Sequence, residues 1–237
     1  MKFEPLISSS HGNAYIVSDG HTCILIECGV TYKRLQELCG FQTTGFDACL
    51  ITHEHKDHSA AVKQVIKAGV DVYMSNGTAE ALELPEEILD MAHEMVAGEQ
   101  FLVGTIDVLP FATFHDAKEP LGFLMQSRVD GDIFAYAIDT VNLPYNFPGV
   151  NVLAVEANYE KATLDRCEKM PESRRYRITN THMEIDLLCR ILQRMDLQRC
   201  REIHLMHLSD ANSHEGHFIN KVLRAVPGHV KVTACPR

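Results

Sequence analysis

Apolar residues along this chain come in short runs, separated by Gly, Pro, Asn or Asp, and their spacing switches repeatedly between strand and helix periods. Ala14–Val17 and Cys23–Glu27 predict paired strands turning at Asp19-Gly20. Tyr32–Leu38 predicts a helix ending near Gly40. The buried run Ala48-Cys49-Leu50-Ile51 predicts a strand, carried in its last part by Leu50–Thr52, and Ala60–Ala68 a helix ending at Gly69. Val70–Met74 follows as a strand, and Asn76-Gly77-Thr78 opens a helix toward Leu84. A strand-rich middle covers Phe101–Val103, Thr105–Phe111, Gly122–Gln126 and Ile133–Ile138. Val150–Glu156 is a further buried strand. Glu184–Met195 carries a helical apolar face through Ile185, Leu188, Ile191, Leu192 and Met195. Ile203–Met206, Glu215–Val226 and Val230–Val232 close the chain as strand, helix and strand. This alternation predicts a mixed α/β fold.

At 237 residues, with 46% hydrophobic residues and no Pro/Gly/Ser-rich linker, the chain is expected to form a single domain over residues 1–237. The start, Met1-Lys2-Phe3-Glu4-Pro5, lacks the apolar core of a signal peptide, and no apolar run approaches membrane-spanning length. The eight cysteines form no C-x-x-C pair and sit in apolar patterns, as expected of reduced thiols in a cytoplasmic protein. Net charge is −10, unevenly spread: residues 1–150 hold 8 Lys/Arg against 21 Asp/Glu, residues 151–237 hold 14 against 11. Such acidity disfavours general binding of long nucleic acid, so a polyanion must meet a local basic patch. The candidate is Lys161, Arg166, Lys169, Arg174, Arg175 and Arg177; the plainer alternative is a solvated helix-and-loop surface.

The densest chemistry lies in His53-Glu54-His55-Lys56-Asp57-His58, between a predicted strand and a predicted helix. Two imidazoles at i and i+2 on extended chain can grip one metal, and an Asp and a His at the helix start can grip a second. Neutral imidazoles with carboxylates suit zinc, manganese or iron. Three further candidates follow strands: His115 in Phe114-His115-Asp116-Ala117, Asp139 in Ile138-Asp139-Thr140, and His207 in Met206-His207-Leu208-Ser209. The carboxyl ends of strands are where α/β proteins place their chemistry.

The H-x-H-x-D-H spacing, with these three residues in order, resembles the metallo-β-lactamase superfamily. The resemblance implies a four-layer αββα sandwich. It further implies two divalent metal ions, zinc or manganese, with His53, His55 and His115 on the first. Asp57, His58 and His207 would hold the second, and Asp139 would bridge. Asp57 is carried as a catalytic candidate as well as a ligand. Several segments resemble the YycJ (WalJ) group of proposed DNA exonucleases: Ser8-Ser9-Ser10-His11-Gly12-Asn13, His115-Asp116-Ala117-Lys118-Glu119-Pro120, Glu156-Ala157-Asn158-Tyr159 and His207-Leu208-Ser209-Asp210-Ala211-Asn212. Ser209 and Asn212 thereby become substrate-side candidates, alongside Arg174, Arg175 and Arg177.

Glu156 and His182 occupy positions similar to the proton relay of the related tRNase Z enzymes. An imidazole bonded to a carboxylate keeps a raised proton affinity and can protonate a leaving alkoxide. The alternative for His182 is a helix-start residue in Asn180-Thr181-His182-Met183-Glu184. Glu27 departs from the Asp usual in the superfamily, and its extra methylene puts the support geometry in question. His214 and His217 lie outside the YycJ pattern, as exposed helix-start residues or substrate-side donors.

These features point to a phosphodiesterase acting on nucleic acid or a nucleotide, with no membrane partner and a homodimer as one expected assembly. Alternatives are a phosphodiesterase of small cyclic nucleotides, as the phage anti-Pycsar enzymes of this fold are, an ester, thioester or lactam hydrolase, and an inactive metal-stabilised binding module.

Overall fold

Contacts among Cα atoms group the chain into two units, and the computed structural model describes residues 1–167 and 170–237. The first unit comprises Met1–Ala112, Ala117–Asp132 and Pro236–Arg237; the second comprises Thr113–Asp116 and Ile133–Cys235.

In the first unit β1 (Lys2–Ser9), β2 (Gly12–Ser18), β3 (Cys23–Ile26), β4 (Ala48–Leu50), β5 (Val72–Met74) and β6 (Ala92–Glu94) form a six-stranded sheet in that order. The first three pair antiparallel and the last three join in parallel. Helices α1 (Tyr32–Leu38), α2 (Lys56–Ser59), α3 (Val62–Lys67), α4 (Asn76–Ala81) and α5 (Glu86–Leu89) lie in the connections. Leu25, Leu35, Cys49, Ile51, Val65, Ile66 and Val72 pack into its core. Burying such side chains contributes roughly 1.5–3 kcal/mol each. Strands β7 (Phe101–Val103), β8 (Ile106–Ala112) and β9 (Leu121–Ser127) follow as an antiparallel meander.

The second unit is built on β10 (Ile133–Ala137), β11 (Val152–Glu156), β12 (Glu202–Met206) and β13 (Lys231–Ala234), all parallel. Helices α6 (Lys161–Arg166), α7 (Glu172–Thr181), α8 (Ile185–Leu192) and α9 (Glu215–Leu223) connect them. β11 is buried along its whole length, as expected of a strand covered on both faces.

The predicted helix over Ala60–Ala68 is α3, Val62–Lys67, and a separate short helix, α2, precedes it; between them the Ala61 amide bonds the Cys28 carbonyl at 2.9 Å. Strand β1 was not anticipated: Pro5 interrupts its alternation, and the register slips between Pro5 and Ile7. Nor were α5, α6, α7 and β6. All eight cysteines are free thiols. Among the described residues no helix is long and apolar enough to cross a membrane.

Candidate functional site

In the first unit the chain leaves β4, and α2 begins with His55 as its N-cap. The motif is therefore extended through His53 and His55, and helical at Asp57 and His58. Its backbone is seated on the turn after β3: Cys28 N–H donates to the His58 carbonyl at 2.9 Å. Gly29 lies so close that an added Cβ would meet the Asp57 carbonyl oxygen at 1.6 Å. Asn13 completes the seat, donating from Nδ2 to the Asp57 carbonyl at 3.1 Å and to that of Ser9 at 3.0 Å.

Glu27, wholly buried, organises the imidazoles. Its Oε1 accepts the Thr52 hydroxyl at 2.6 Å. Thr52 Oγ1 is then an acceptor toward His53 Nδ1, 2.8 Å away, which makes His53 Nε2 the unprotonated nitrogen. Glu27 Oε1 also lies 3.3 Å from His58 Nδ1, and Asn13 Nδ2 lies 3.3 Å from His58 Nε2. The extra methylene of Glu27 is thus accommodated by a left-handed backbone, φ 64°, that turns the longer side chain onto Thr52 and His58.

His53 Nε2 and His55 Nδ1 converge to 3.1 Å. Two nitrogens on one tetrahedral zinc, each about 2.0–2.1 Å from it, stand roughly 3.3 Å apart, so this pair fits a shared ion. Asp57 Oδ2 lies 3.5 Å from His58 Nε2, again a spacing that one ion can bridge.

In the second unit His115, Asp139 and His207 come together with Glu156 and His182. His115 Nδ1 donates to the Thr181 carbonyl at 2.9 Å, so its Nε2 is the unprotonated nitrogen; that atom lies 3.4 Å from Asp139 Oδ2 and 3.2 Å from Asp116 Oδ1. Burial lowers the proton affinity of His115, with the Asp139 charge opposing, and the net shift favours the neutral, ligating imidazole. His207 Nδ1 faces Asp139 Oδ1 at 3.1 Å and Glu156 Oε1 at 3.3 Å. Asn158 Nδ2 pins the same residue through its carbonyl at 2.9 Å. Asp139, Glu156, His182 and His207 each offer a ligand atom, all within 4.8 Å of one another.

Glu156 is the hub of this unit. It is fully buried at the end of β11, where an apolar residue would otherwise be expected. Its Oε2 accepts the amides of Thr140 and Met183, both at 3.0 Å, and its Oε1 accepts His182 Nδ1 at 2.6 Å. Burial alone would raise its carboxyl, but the His182 charge and hydrogen bonds from His182 and His207 hold it below the ordinary value. Burial would likewise lower His182, but Glu156 and Asp139 outweigh it and lift the imidazole to about 10. Positive ions at Asp139 would oppose that lift. His182 is the residue after α7, and the cap of α8 is Glu184, whose carboxylate accepts Leu187 N–H. His182 is thus the C-cap of α7, its amide donating to the Ile178 carbonyl at 3.2 Å, and not the N-cap of α8.

Three of the five non-glycine residues at positive φ are Glu27, Asp139 and His207, at 64°, 44° and 53°. Such backbone costs about 1–3 kcal/mol each and persists where surroundings enforce it, typically at functional sites.

The basic segment is less free than its composition implies. Arg175 bonds the Leu164 and Cys167 carbonyls, and so fastens α7 to α6. Arg177 grips Asp116 with both arms, at 2.7 and 3.3 Å. Lys161, Arg166 and Arg174 are exposed, and Lys169 lies outside the described residues. Ser209 is half-buried and bonds Asn158 through its amide; Asn212 is buried and donates to Ser209 Oγ at 3.0 Å. His214 caps α9, and His217 bonds Glu160 at 2.9 Å, as exposed helix-start residues do. Sequence reasoning missed Thr52, Asn13, Asn158 and the Thr181 carbonyl. The first three were legible only as neighbours of the motifs; a backbone acceptor leaves no residue-type signal.

Comparison with known proteins gives a consistent picture. The profile described as "Beta-lactamase superfamily domain" matches residues 22–207. The exodeoxyribonuclease WalJ of Streptococcus pneumoniae is 27% identical over 226 residues, covering 90% of this chain and 83% of that protein. Among solved structures, the metallo-beta-lactamase fold protein YhfI from Bacillus subtilis superposes with a TM-score of 0.71 at 14% identity, over 99% of this chain and 96% of that one. The short form of human tRNase Z superposes with a TM-score of 0.65 at 14% identity, over 100% and 96%. The fold is thus the mixed α/β metallo-β-lactamase sandwich.

Proposed function

Because the chain belongs to the beta-lactamase superfamily and is a metal-dependent hydrolase by that membership, we propose that it is a phosphodiesterase cutting nucleic acid. The observation that carries this reading is the buried Glu156–His182 pair beside Asp139. Thioester cleavage releases a weakly basic thiolate that needs no proton. An unactivated phosphodiester releases a poor alkoxide, and a placed acid answers that need. Similarity to an exodeoxyribonuclease over most of both chains supports the same choice.

Residues 1–237 then act as one domain, and the two donor sets serve one pair of divalent ions, zinc or manganese. Following the superfamily order, His53, His55 and His115 would hold the first ion and Asp57, His58 and His207 the second, with Asp139 offering its carboxylate to both. When bound, such ions supply an activated water at neutral pH and a positive clamp on the phosphoryl group. Asp57 lends negative charge beside the second ion. Glu27 and Thr52 fix the tautomers of His53 and His58; the Thr181 carbonyl fixes that of His115. His182, tied at Nδ1 to Glu156, keeps its Nε2 proton for the departing oxygen. Arg174 is the cation we assign to the strand backbone, Arg175 and Arg177 hold α7 in place through the Leu164 and Cys167 carbonyls and Asp116, and Ser209 and Asn212 stay substrate-side candidates.

A panel of substrates with added manganese or zinc tests this: bis(p-nitrophenyl) phosphate, single- and double-stranded DNA, RNA, cyclic mononucleotides and a thioester. Turnover of DNA with linear products is expected. Turnover of the thioester alone would sink the phosphodiesterase reading, and turnover of cyclic mononucleotides alone would move the substrate to small molecules.

A further inference from the structure

Two aromatic rings beside this site have no structural employment. Phe114 is 46% exposed and Tyr176 is 71% exposed, although large apolar side chains in this protein are mostly buried. Phe114 is not on a loose loop. Its amide donates to Thr140 Oγ1 at 3.0 Å, its carbonyl accepts Val141 N–H at 3.0 Å, and the next residue is His115. The backbone is pinned on both sides while the ring is left in water.

Tyr176 lies on α7, whose only buried residues are Ile178 and Thr181. A helix so polar is held by specific tethers, not by an apolar stripe. The tethers here lead to the Phe114 segment: Arg177, next to Tyr176, grips Asp116, and the Thr181 carbonyl takes the His115 proton. Phe114 thus lies in the segment that carries His115, and Tyr176 lies on the helix tethered to that segment. Arg174, one helical turn before Arg177, is exposed and pairs with no described carboxylate. Residues 172–181 hold three arginines and one glutamate in a chain of net charge −10. Arg175 bonds the Leu164 and Cys167 carbonyls and Arg177 pairs with Asp116, so Arg174 is the cation left beside the exposed Tyr176.

We propose, resting on the phosphodiesterase reading, that Phe114 and Tyr176 form a stacking platform for unpaired bases, with Arg174 on the adjoining phosphates. Rings recognise base faces, and those faces are covered inside a duplex. The platform thus makes the protein select single strands or frayed ends. Ring and charge together suit a polyanion with flat bases; an apolar peptide would not use the arginines.

The test is fluorescence anisotropy of the metal-loaded protein with labelled phosphorothioate oligonucleotides, single-stranded and duplex, of one length. The wild type is expected to favour the single strand. Phe114→Ala and Tyr176→Ala should each weaken single-strand binding by about 5- to 100-fold, the range of one base–aromatic stack, with much less effect on the duplex. Phe114→Trp and Tyr176→Phe should keep the preference, because they keep a ring. A 2-aminopurine in the strand should be quenched on binding and lose that quench in the alanine variants. Metal content of each variant checks that the site is intact. Equal loss on single strand and duplex, or no loss, overturns the platform. If the wild type fails to hydrolyse any phosphodiester, the phosphodiesterase reading falls first. If it hydrolyses them but binds both strands alike, only the platform falls.

Discussion

His182→Ala separates proton delivery from everything else the site does. His182 Nδ1 lies 2.6 Å from Glu156 Oε1, which commits that nitrogen to the carboxylate and leaves Nε2 as the one transferable proton. A placed general acid contributes ~10²–10⁴-fold. That is about 3–5 kcal/mol of barrier, at 1.36 kcal/mol per factor of ten. Truncation also leaves buried Glu156 Oε1 with the longer contact to His207 Nδ1, 3.3 Å away, costing roughly 1–3 kcal/mol of stability. The other carboxylate oxygen keeps its two amide donors, so the Thr140 and Met183 segments should stay in place. The assay compares DNA with bis(p-nitrophenyl) phosphate, whose nitrophenolate leaves without a proton, and counts metal per chain by elemental analysis. Metal content should hold, DNA cleavage should fall by the stated factor, and the activated diester should lose far less. Equal losses on the two substrates would refute the relay and assign His182 a purely architectural part.

Asp139→Ala should lower metal content and activity together, because one carboxylate serves both ions in the proposed arrangement; elemental analysis showing full metal would contradict the bridging role. Gly29→Ala forces a methyl into the Asp57 carbonyl, a 1.6 Å approach, so the His58 backbone must shift; metal affinity should fall even though no ligand is changed, and isothermal titration would detect it. Asp19 accepts two backbone amides and the Thr105 and Ser127 hydroxyls. Burial would raise its carboxyl, but these bonds bring it from 3.8 down to about 2. Its stabilisation is therefore present above pH 3.8 and lost as pH falls through about 2. Asp19→Asn should be destabilised by about 1–2 kcal/mol at pH 7, with urea midpoints of the two proteins converging toward pH 2. A constant gap would show that the charge is irrelevant.

The candidate metal donors carry a local signal in the sequence: a motif at fixed spacing, then His115, Asp139 and His207 each just past an apolar run. What was hidden depends on backbone or on weak patterns. Helix α7 has almost no apolar period, so its sequence looks like a loop. Three of its arginines look like one patch, yet Arg175 serves helix packing and Arg177 an ion pair. Glu27 read as a departure, because a left-handed residue at a strand end cannot be foreseen from side-chain type. Strand β1 was masked by Pro5, which sits next to its bulge.

Thr181 and His182 place two unrelated duties on adjacent residues: one offers the carbonyl that orients His115, the other carries the proton. Both hang from the last turn of an otherwise exposed helix. Each residue added to or removed from a helix rotates the downstream turns by about 100°. A single insertion within residues 172–181 would therefore swing either the carbonyl or the imidazole off its partner. The outer face of α7 can drift freely in residue type as lineages change substrates, but its length is locked. Insertions and deletions in relatives that keep both partnerships should accordingly collect before residue 172 or after residue 184, and engineered arms should be grafted there.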